Sequence, residues 1–82
     1  MVEQQVRSIL RDTLQLGDRA ARLQGASGLL GTLPELDSMA VVTVITALED
    51  RFGIVVEDDE ISADTFATFG ALVQFVESKV TQ

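Results

Sequence analysis

The chain has no cysteine, histidine, tryptophan or tyrosine. Without cysteine it forms no disulfide and offers neither a thiolate metal ligand nor a thiol nucleophile. Without histidine it lacks the side chain that most often serves as a general base near neutral pH and as a zinc ligand. Serine, threonine and carboxylate side chains remain, and they need an activating partner to act as nucleophiles. We therefore expect a protein that is not an enzyme and that has no metal site.

Long apolar runs and basic surfaces are also missing. No stretch of about eighteen apolar residues is present, and the N-terminus lacks the basic-then-apolar pattern of a secretory signal. The net charge is −7, and residues 35–60 hold eight acids beside a single basic residue, Arg51. A nucleic-acid-binding domain needs a basic footprint, whereas an acidic surface attracts basic partners. We expect a cytoplasmic monomer that binds no nucleic acid and does not insert into a membrane.

The densest run of acids is Glu57-Asp58-Asp59-Glu60. A calcium-binding helix–loop–helix needs alternating oxygen ligands, a central glycine and a final glutamate, and this run has no such spacing. We interpret it as the solvated start of a short helix.

Apolar spacing predicts an all-α fold with residues 1–82 as a single domain, because a chain of 82 residues has room for one core. The expected architecture is an antiparallel four-helix bundle with three longer helices and one short third helix. A helix of one or two turns is unstable alone, so the third element is a candidate gate. The predicted helices are residues 2–16, 38–52, 58–64 and 69–80.

The most informative local feature is Asp37-Ser38-Met39, which opens the second predicted helix after the only proline, Pro34. Proline favours an extended approach, and either Asp37 or Ser38 can cap the helix. A hydroxyl at a helix N-terminus lies beside unpaired amides and the positive end of the macrodipole, where a phosphodiester is favoured. The same pattern also occurs in ordinary helix caps. The apolar residues spaced three or four apart, as on one face of a helix, are Met39, Val42, Ile45, Leu48 and Phe52.

Further motifs follow in a fixed order: Ala47-Leu48-Glu49, Phe52-Gly53-Ile54, the acidic run, and Thr68-Phe69-Gly70-Ala71-Leu72. In order and spacing, over about residues 30–80, the pattern closely resembles the acyl carrier protein family. The resemblance implies that Ser38 receives 4′-phosphopantetheine from coenzyme A through a phosphodiester bond. It implies a phosphopantetheinyl transferase as a partner, with Asp37 assisting the transfer. It also implies acyl-loading and acyl-accepting enzymes as partners, and a carrier that is itself non-catalytic.

The departures from the family pattern concern the surface of the second helix. In bacterial fatty-acid carriers the positions two and five beyond the serine are commonly acidic, but here they are Ala40 and Thr43. This favours partners that recognise shape more than charge, and a specialised lipid or polyketide pathway. Residues 33–42 look like carriers encoded beside bacterial exosortase and exopolysaccharide systems. The predicted partner-binding residues are Met39, Ala40, Val41, Val44, Glu49 and Asp50.

A carrier also shelters its acyl cargo between helices, where each buried methylene contributes about 0.8 kcal/mol. The same side chains would otherwise form ordinary core, since such a cavity is a loosened core. The predicted cavity-lining residues are Val42, Ile45, Ile54, Ile61, Phe66, Leu72 and Val76.

Two alternatives stay open at this level. A carrier of aminoacyl or peptidyl groups would share the motif and differ in cargo. An unmodified helical adaptor would use Ser38 only as a cap.

Overall fold

The described part of the chain folds into three α-helices and two short 3₁₀ helices. The computed structural model describes residues 2–81, apart from the side chain of Asp58. Within that range there is no β-strand, and a single isolated bridge pairs Gly28 with Thr68. The all-α prediction, with three longer helices and a shorter element before the last, is confirmed. The elements are α1 (Val2–Leu14), a 3₁₀ helix (Gly17–Arg22), α2 (Ser38–Phe52), a 3₁₀ helix (Asp58–Glu60) and α3 (Phe69–Val80).

The third predicted helix is shorter than expected. It is the 3₁₀ helix Asp58–Glu60, and residues 61–66 are turns and irregular backbone instead of the predicted continuation to residue 64. The Ser62 hydroxyl accepts from the Thr65 amide at 3.3 Å, and the Thr65 hydroxyl donates to the Glu60 carbonyl at 3.3 Å. Such side-chain bonds to nearby backbone compete with the helical ladder, so the helix does not extend.

The core is one cluster of aliphatic and phenylalanine side chains, to which all three α-helices and the connections contribute. Helix α1 lies at its centre, because it packs against α2, α3 and the first 3₁₀ helix. Among the described side chains no polar or charged one is buried. The side chains with no solvent exposure include Val6, Leu10, Leu48 and Leu72.

The buried face of α2 coincides only in part with the predicted apolar face. Ile45 and Leu48 of that face are buried, but Met39, which is also a predicted partner-binding residue, is 75% exposed, and Val42, a predicted cavity-lining residue, is 61% exposed. Val44 was assigned to the partner surface, but it is 0% exposed and packs in the core. The reason is geometric: each step of three residues falls about 60° short of a full turn, so the series 39, 42, 45 winds around the helix. The face that packs inward contains Val44, Ile45 and Leu48.

The long connection between α1 and α2 packs back onto the core through Leu23, Leu29 and Leu36. Its residues 25–30 run beside the start of α3, where the Phe69 amide donates to Ser27 at 2.8 Å and the Leu30 amide donates to Phe66 at 2.9 Å. The Gly70 amide donates to the Gly25 carbonyl at 2.9 Å. A Cβ on Gly70 would lie 2.8 Å from that oxygen, so this close approach requires glycine.

Arg7 fastens the same connection to α1. Its Nη1 donates to the carbonyls of Ala20 at 2.8 Å and Leu23 at 2.7 Å. The guanidinium also lies 4.9 Å from the centre of the Phe69 ring, within cation–π range. One side chain of α1 thus joins the first 3₁₀ helix to the start of α3.

The buried and exposed faces of α2 predict different losses of stability for two valine-to-alanine substitutions. We expect Val44→Ala to lower the free energy of unfolding by about 2 kcal/mol, because it removes two buried methyl groups and leaves a cavity. Val42→Ala, on the exposed face, should change it by less than about 0.5 kcal/mol. Urea denaturation followed by circular dichroism measures both. Equal losses would show that the faces are wrongly assigned.

Candidate functional site

Asp37 caps α2, and Ser38 is its first helical residue. The Asp37 backbone is extended (φ −102°, ψ −175°), and Oδ1 accepts from the Ala40 amide at 2.8 Å. The Asp37 carbonyl accepts from the Val41 amide at 2.9 Å. Asp37 and Ser38 are both exposed. Of the two capping candidates, Asp37 is therefore the N-cap of α2, and the Ser38 hydroxyl does not take part in capping.

The described contacts contain no hydrogen bond to the Ser38 hydroxyl, nor to the amides of Ser38 and Met39. The first amides of a helix have no intrahelical acceptor. The unpaired amides of Ser38 and Met39 therefore make the start of α2 favourable for a negatively charged group. An exposed hydroxyl beside unpaired amides suits a phosphodiester.

The segment that leads to Ser38 is held on both sides. Leu36 is 4% exposed and lies in the core, and its amide donates to the Leu33 carbonyl at 3.1 Å. Glu35 forms an ion pair with Arg19 of the first 3₁₀ helix. The hydrogen bond from Arg19, followed by a backbone hydrogen bond, keeps the pKa of Glu35 below its ordinary value. Glu35 therefore stays charged near neutral pH and keeps its pairing with Arg19.

A cavity of about 330 Å³ opens beside Ser38. Its walls come from three parts of the chain: the α1–α2 connection, the first turn of α2, and the irregular segment after the second 3₁₀ helix. The lining is mostly apolar, so it suits a hydrocarbon group held next to the Ser38 oxygen. The lining residues are Leu30, Ser38, Val41, Ile61, Ser62, Ala63 and Phe66.

The predicted lining agrees only in part with this cavity. Ile61 and Phe66 line it. Val42 does not, because it is on the exposed face of α2. The other four predicted residues lie elsewhere in the structure. Ile45, Leu72 and Val76 are closed in the core, and Ile54 packs, partly buried, in the connector after α2.

Sequence reasoning missed Leu30, Ser62 and Ala63, and it assigned Val41 to the partner surface alone. One signal was present, since Val41 follows Ser38 by three residues and so shares a side of the helix with it. Ser62 and Ala63 have no such signal, because irregular backbone carries no periodicity.

The predicted partner surface is mixed in its exposure. Met39 and Asp50 are exposed, whereas Ala40 and Val41 are half-buried. Glu49 is half-buried, and its Oε2 accepts from the Val56 amide at 2.9 Å, so it holds the connector after α2.

The exposed face of α2 before Glu49 carries no charge. Besides Met39 and Val42 it presents two threonines whose hydroxyls bond to their own helix. Thr43 donates to the Met39 carbonyl at 3.1 Å, and Thr46 donates to the Val42 carbonyl at 3.0 Å. With those hydroxyls occupied, this face is more apolar than its composition suggests.

The described residues give no support to two other kinds of site. No group of three or more described metal-ligating side chains comes together, and the Asp58 side chain of the acidic run lies outside the described part. No described helix combines the length and apolar character needed to cross a membrane.

Comparison with known proteins agrees with this geometry. Residues 34–76 match the family described as the phosphopantetheine attachment site. The solution NMR structure of a holo acyl carrier protein from Nitrosomonas europaea is 58% identical in sequence, with a TM-score of 0.89. That match covers 99% of this chain and 96% of the other. No curated protein gives a significant match.

The fold and the site define a phosphopantetheine-bearing domain. The chain belongs to the acyl carrier protein family. Its prosthetic group is 4′-phosphopantetheine, and it is a carrier without catalytic activity of its own. The resemblance found in the sequence is thereby confirmed.

The cap gives a prediction that is independent of modification. Asp37→Ala should lower the free energy of unfolding by about 1 kcal/mol, because the Ala40 amide loses its acceptor. Asp37→Asn should retain most of that stability, since an asparagine oxygen caps equally well. Thermal or urea unfolding of the unmodified chain measures both. Equal destabilisation by the two variants would argue against a capping role.

Proposed function

We propose that Ser38 carries the 4′-phosphopantetheine arm and that residues 1–82 act as a single monomeric carrier domain. The observation that carries this proposal is the exposed, unbonded Ser38 hydroxyl at the start of α2, with an apolar cavity of about 330 Å³ beside it. One side of the site accepts a phosphodiester and the other an acyl group. The alternative of an unmodified adaptor explains neither the free hydroxyl nor the cavity.

The attachment step uses the Ser38 oxygen as the nucleophile. This oxygen forms a bond to the phosphorus that bears the pantetheine of coenzyme A. The bond to the second phosphate breaks, adenosine 3′,5′-bisphosphate leaves, and the hydroxyl proton passes to a base of the transferase. Asp37 contributes Oδ1 to the cap. Its other oxygen makes no described hydrogen bond and is available to the transferase, in keeping with the assisting role that the family resemblance implies.

Once attached, the arm supplies the thiol that holds the cargo as a thioester. This explains why a chain without cysteine or histidine suffices, since the protein presents and shelters the cargo while partner enzymes perform the chemistry. We place the chain in the cytoplasm, where coenzyme A is available as the donor.

The partner enzymes contact the exposed, uncharged face of α2. Met39 is 75% exposed and follows the attachment residue directly, so a partner that reaches Ser38 also meets Met39. Val42 extends this face, and Asp50 adds a charge at its far end. We propose that the transferase and the acyl-loading and acyl-accepting enzymes dock here through apolar contacts more than through ion pairs. Such a surface suits a specialised biosynthetic pathway with few partners.

The same uncharged face also fits a second candidate function, that of a carrier of aminoacyl or peptidyl groups. Mass spectrometry of the thioester isolated from the native host decides between the two cargoes. An acyl chain without an α-amino group supports the first proposal.

The attachment site is tested by incubation with coenzyme A and a promiscuous phosphopantetheinyl transferase. The intact mass should rise by one phosphopantetheinyl group in the unaltered chain and should not rise in Ser38→Ala. Ser62→Ala is the matched control, because Ser62 lines the same cavity and is also exposed. This control should be modified fully. Modification of the Ser38→Ala variant would refute the assignment.

The docking face is tested by kinetics of the same transfer. Met39→Ala should raise the KM for the carrier about tenfold, equivalent to about 1.4 kcal/mol, because an exposed apolar anchor is lost. Val80→Ala is the control, since Val80 is an exposed aliphatic residue at the end of α3, 41% accessible. Its KM should stay unchanged. If both variants behave like the parent, the partners do not use Met39.

A further inference from the structure

One side of the cavity beside Ser38 is formed by a segment with little secondary structure. We define the cavity wall as residues 57–65. It begins with the second 3₁₀ helix, and Ile61, Ser62 and Ala63 within it line the cavity. Movement of this segment changes the size of the cavity directly.

The cavity wall is anchored at both ends. Before it, Val56 is 9% exposed, and its amide donates to the Glu49 carboxylate at 2.9 Å. After it, Phe66 is 1% exposed, and its carbonyl accepts from the Leu30 amide at 2.9 Å. Between these anchors the described hydrogen bonds are almost all local, such as that from the Glu57 amide to Glu60 Oε1 at 2.9 Å.

Lys79, near the end of α3, makes the hydrogen bonds to the cavity wall that are not local. Its Nζ donates to Glu60 Oε1 at 2.9 Å and to Oε2 at 3.0 Å. Among the described contacts these are the only hydrogen bonds that join the cavity wall to another helix. The Lys79 side chain is 12% exposed and that of Glu60 is 30% exposed. A pair this sheltered resists separation more than a surface pair, because a lone charge left there is poorly solvated.

Glu60 is ionised under ordinary conditions. The hydrogen bond from the Glu57 backbone, and then the contact with Lys79, hold the pKa of Glu60 below its usual value. The attraction to the ammonium is therefore present near neutral pH.

We propose that the Lys79–Glu60 ion pair is a latch that ties the cavity wall to α3 and so sets how readily the wall moves. Lys79 is then a positioning residue: it does not line the cavity, and it acts through Glu60 on the wall. Cargo that fits the cavity at its present size is held with the latch intact, whereas larger cargo must strain or break it. The part that concerns cargo rests on the proposed function, but the mobility of the wall does not.

Amide hydrogen exchange on the unmodified chain tests the latch. Lys79→Met keeps much of the apolar stem and removes the charge. The reporters are two amides whose acceptors lie in the cavity wall: the Thr65 amide, bonded to Ser62 Oγ at 3.3 Å, and the Ala67 amide, bonded to the Asp64 carbonyl at 3.3 Å. We expect both to exchange about tenfold faster, equivalent to about 1.4 kcal/mol of local opening, while the amides of α1 keep their rates.

Two further variants separate the latch from general destabilisation. Arg11→Met removes an exposed ion pair with Asp12 on α1, so it should leave the wall amides unchanged. Glu60→Gln should reproduce the effect of Lys79→Met, and the double variant should add little to either, because both remove one interaction. Unchanged exchange at Thr65 and Ala67, or an equal rise in α1, would overturn the proposal.

A second readout uses the loaded carrier. With a cargo that fits the cavity at its present size, Lys79→Met should speed cleavage of the thioester by hydroxylamine several-fold, whereas Arg11→Met should not. Failure of the proposed function would appear earlier, as a lack of modification at Ser38. Faster wall exchange without any change in thioester cleavage would refute the positioning role and leave the attachment site untouched.

Discussion

The site depends on the burial of one stripe of α2 against the core. Val44, Ile45 and Leu48 fix the rotation of this helix about its own axis. That rotation leaves Met39 in solvent and brings Val41 to the cavity. Because side chains in a packed interior interdigitate, the helix has no second orientation that would bury another face equally well. The geometry of the exposed end is therefore set by contacts one to three turns away from it.

At the start of α2, Asp37 caps the helix and the neighbouring Ser38 is the proposed site of modification. Asp37 satisfies the Ala40 amide, and its carbonyl satisfies the Val41 amide. The Ser38 hydroxyl thus has no hydrogen-bond partner among the described residues and is free for the proposed modification. Anchoring of Leu36 in the core and pairing of Glu35 with Arg19 hold the approach in place. The polar interactions of this region therefore position the Ser38 hydroxyl without bonding to it.

Shelter and release place opposite demands on a carrier. A deep, rigid cavity would bind an acyl chain strongly and give it up slowly, since each methylene adds to the gain from burial. Here the cavity is walled on one side by irregular backbone, which moves more easily than a helix. The sheltered ion pair between Glu60 and Lys79 limits that movement. In this proposal the aliphatic core shelters the acyl group, and the movable cavity wall allows its release.

Local signals determined much of the fold. The bounds of α2 and α3 follow from the caps Asp37 and Thr68 and from Gly53, whose φ of +65° ends α2. The order of motifs around Ser38 sufficed to identify the family. Tertiary structure decided which face of α2 is buried, that Glu49 bonds the Val56 amide, and that Leu30 and Ala63 meet at one cavity. Caps and turns depend on hydrogen bonds within a few residues, so a sequence pattern encodes them. The cavity depends on packing between segments about thirty residues apart, and the spacing of residues within either segment does not predict that contact.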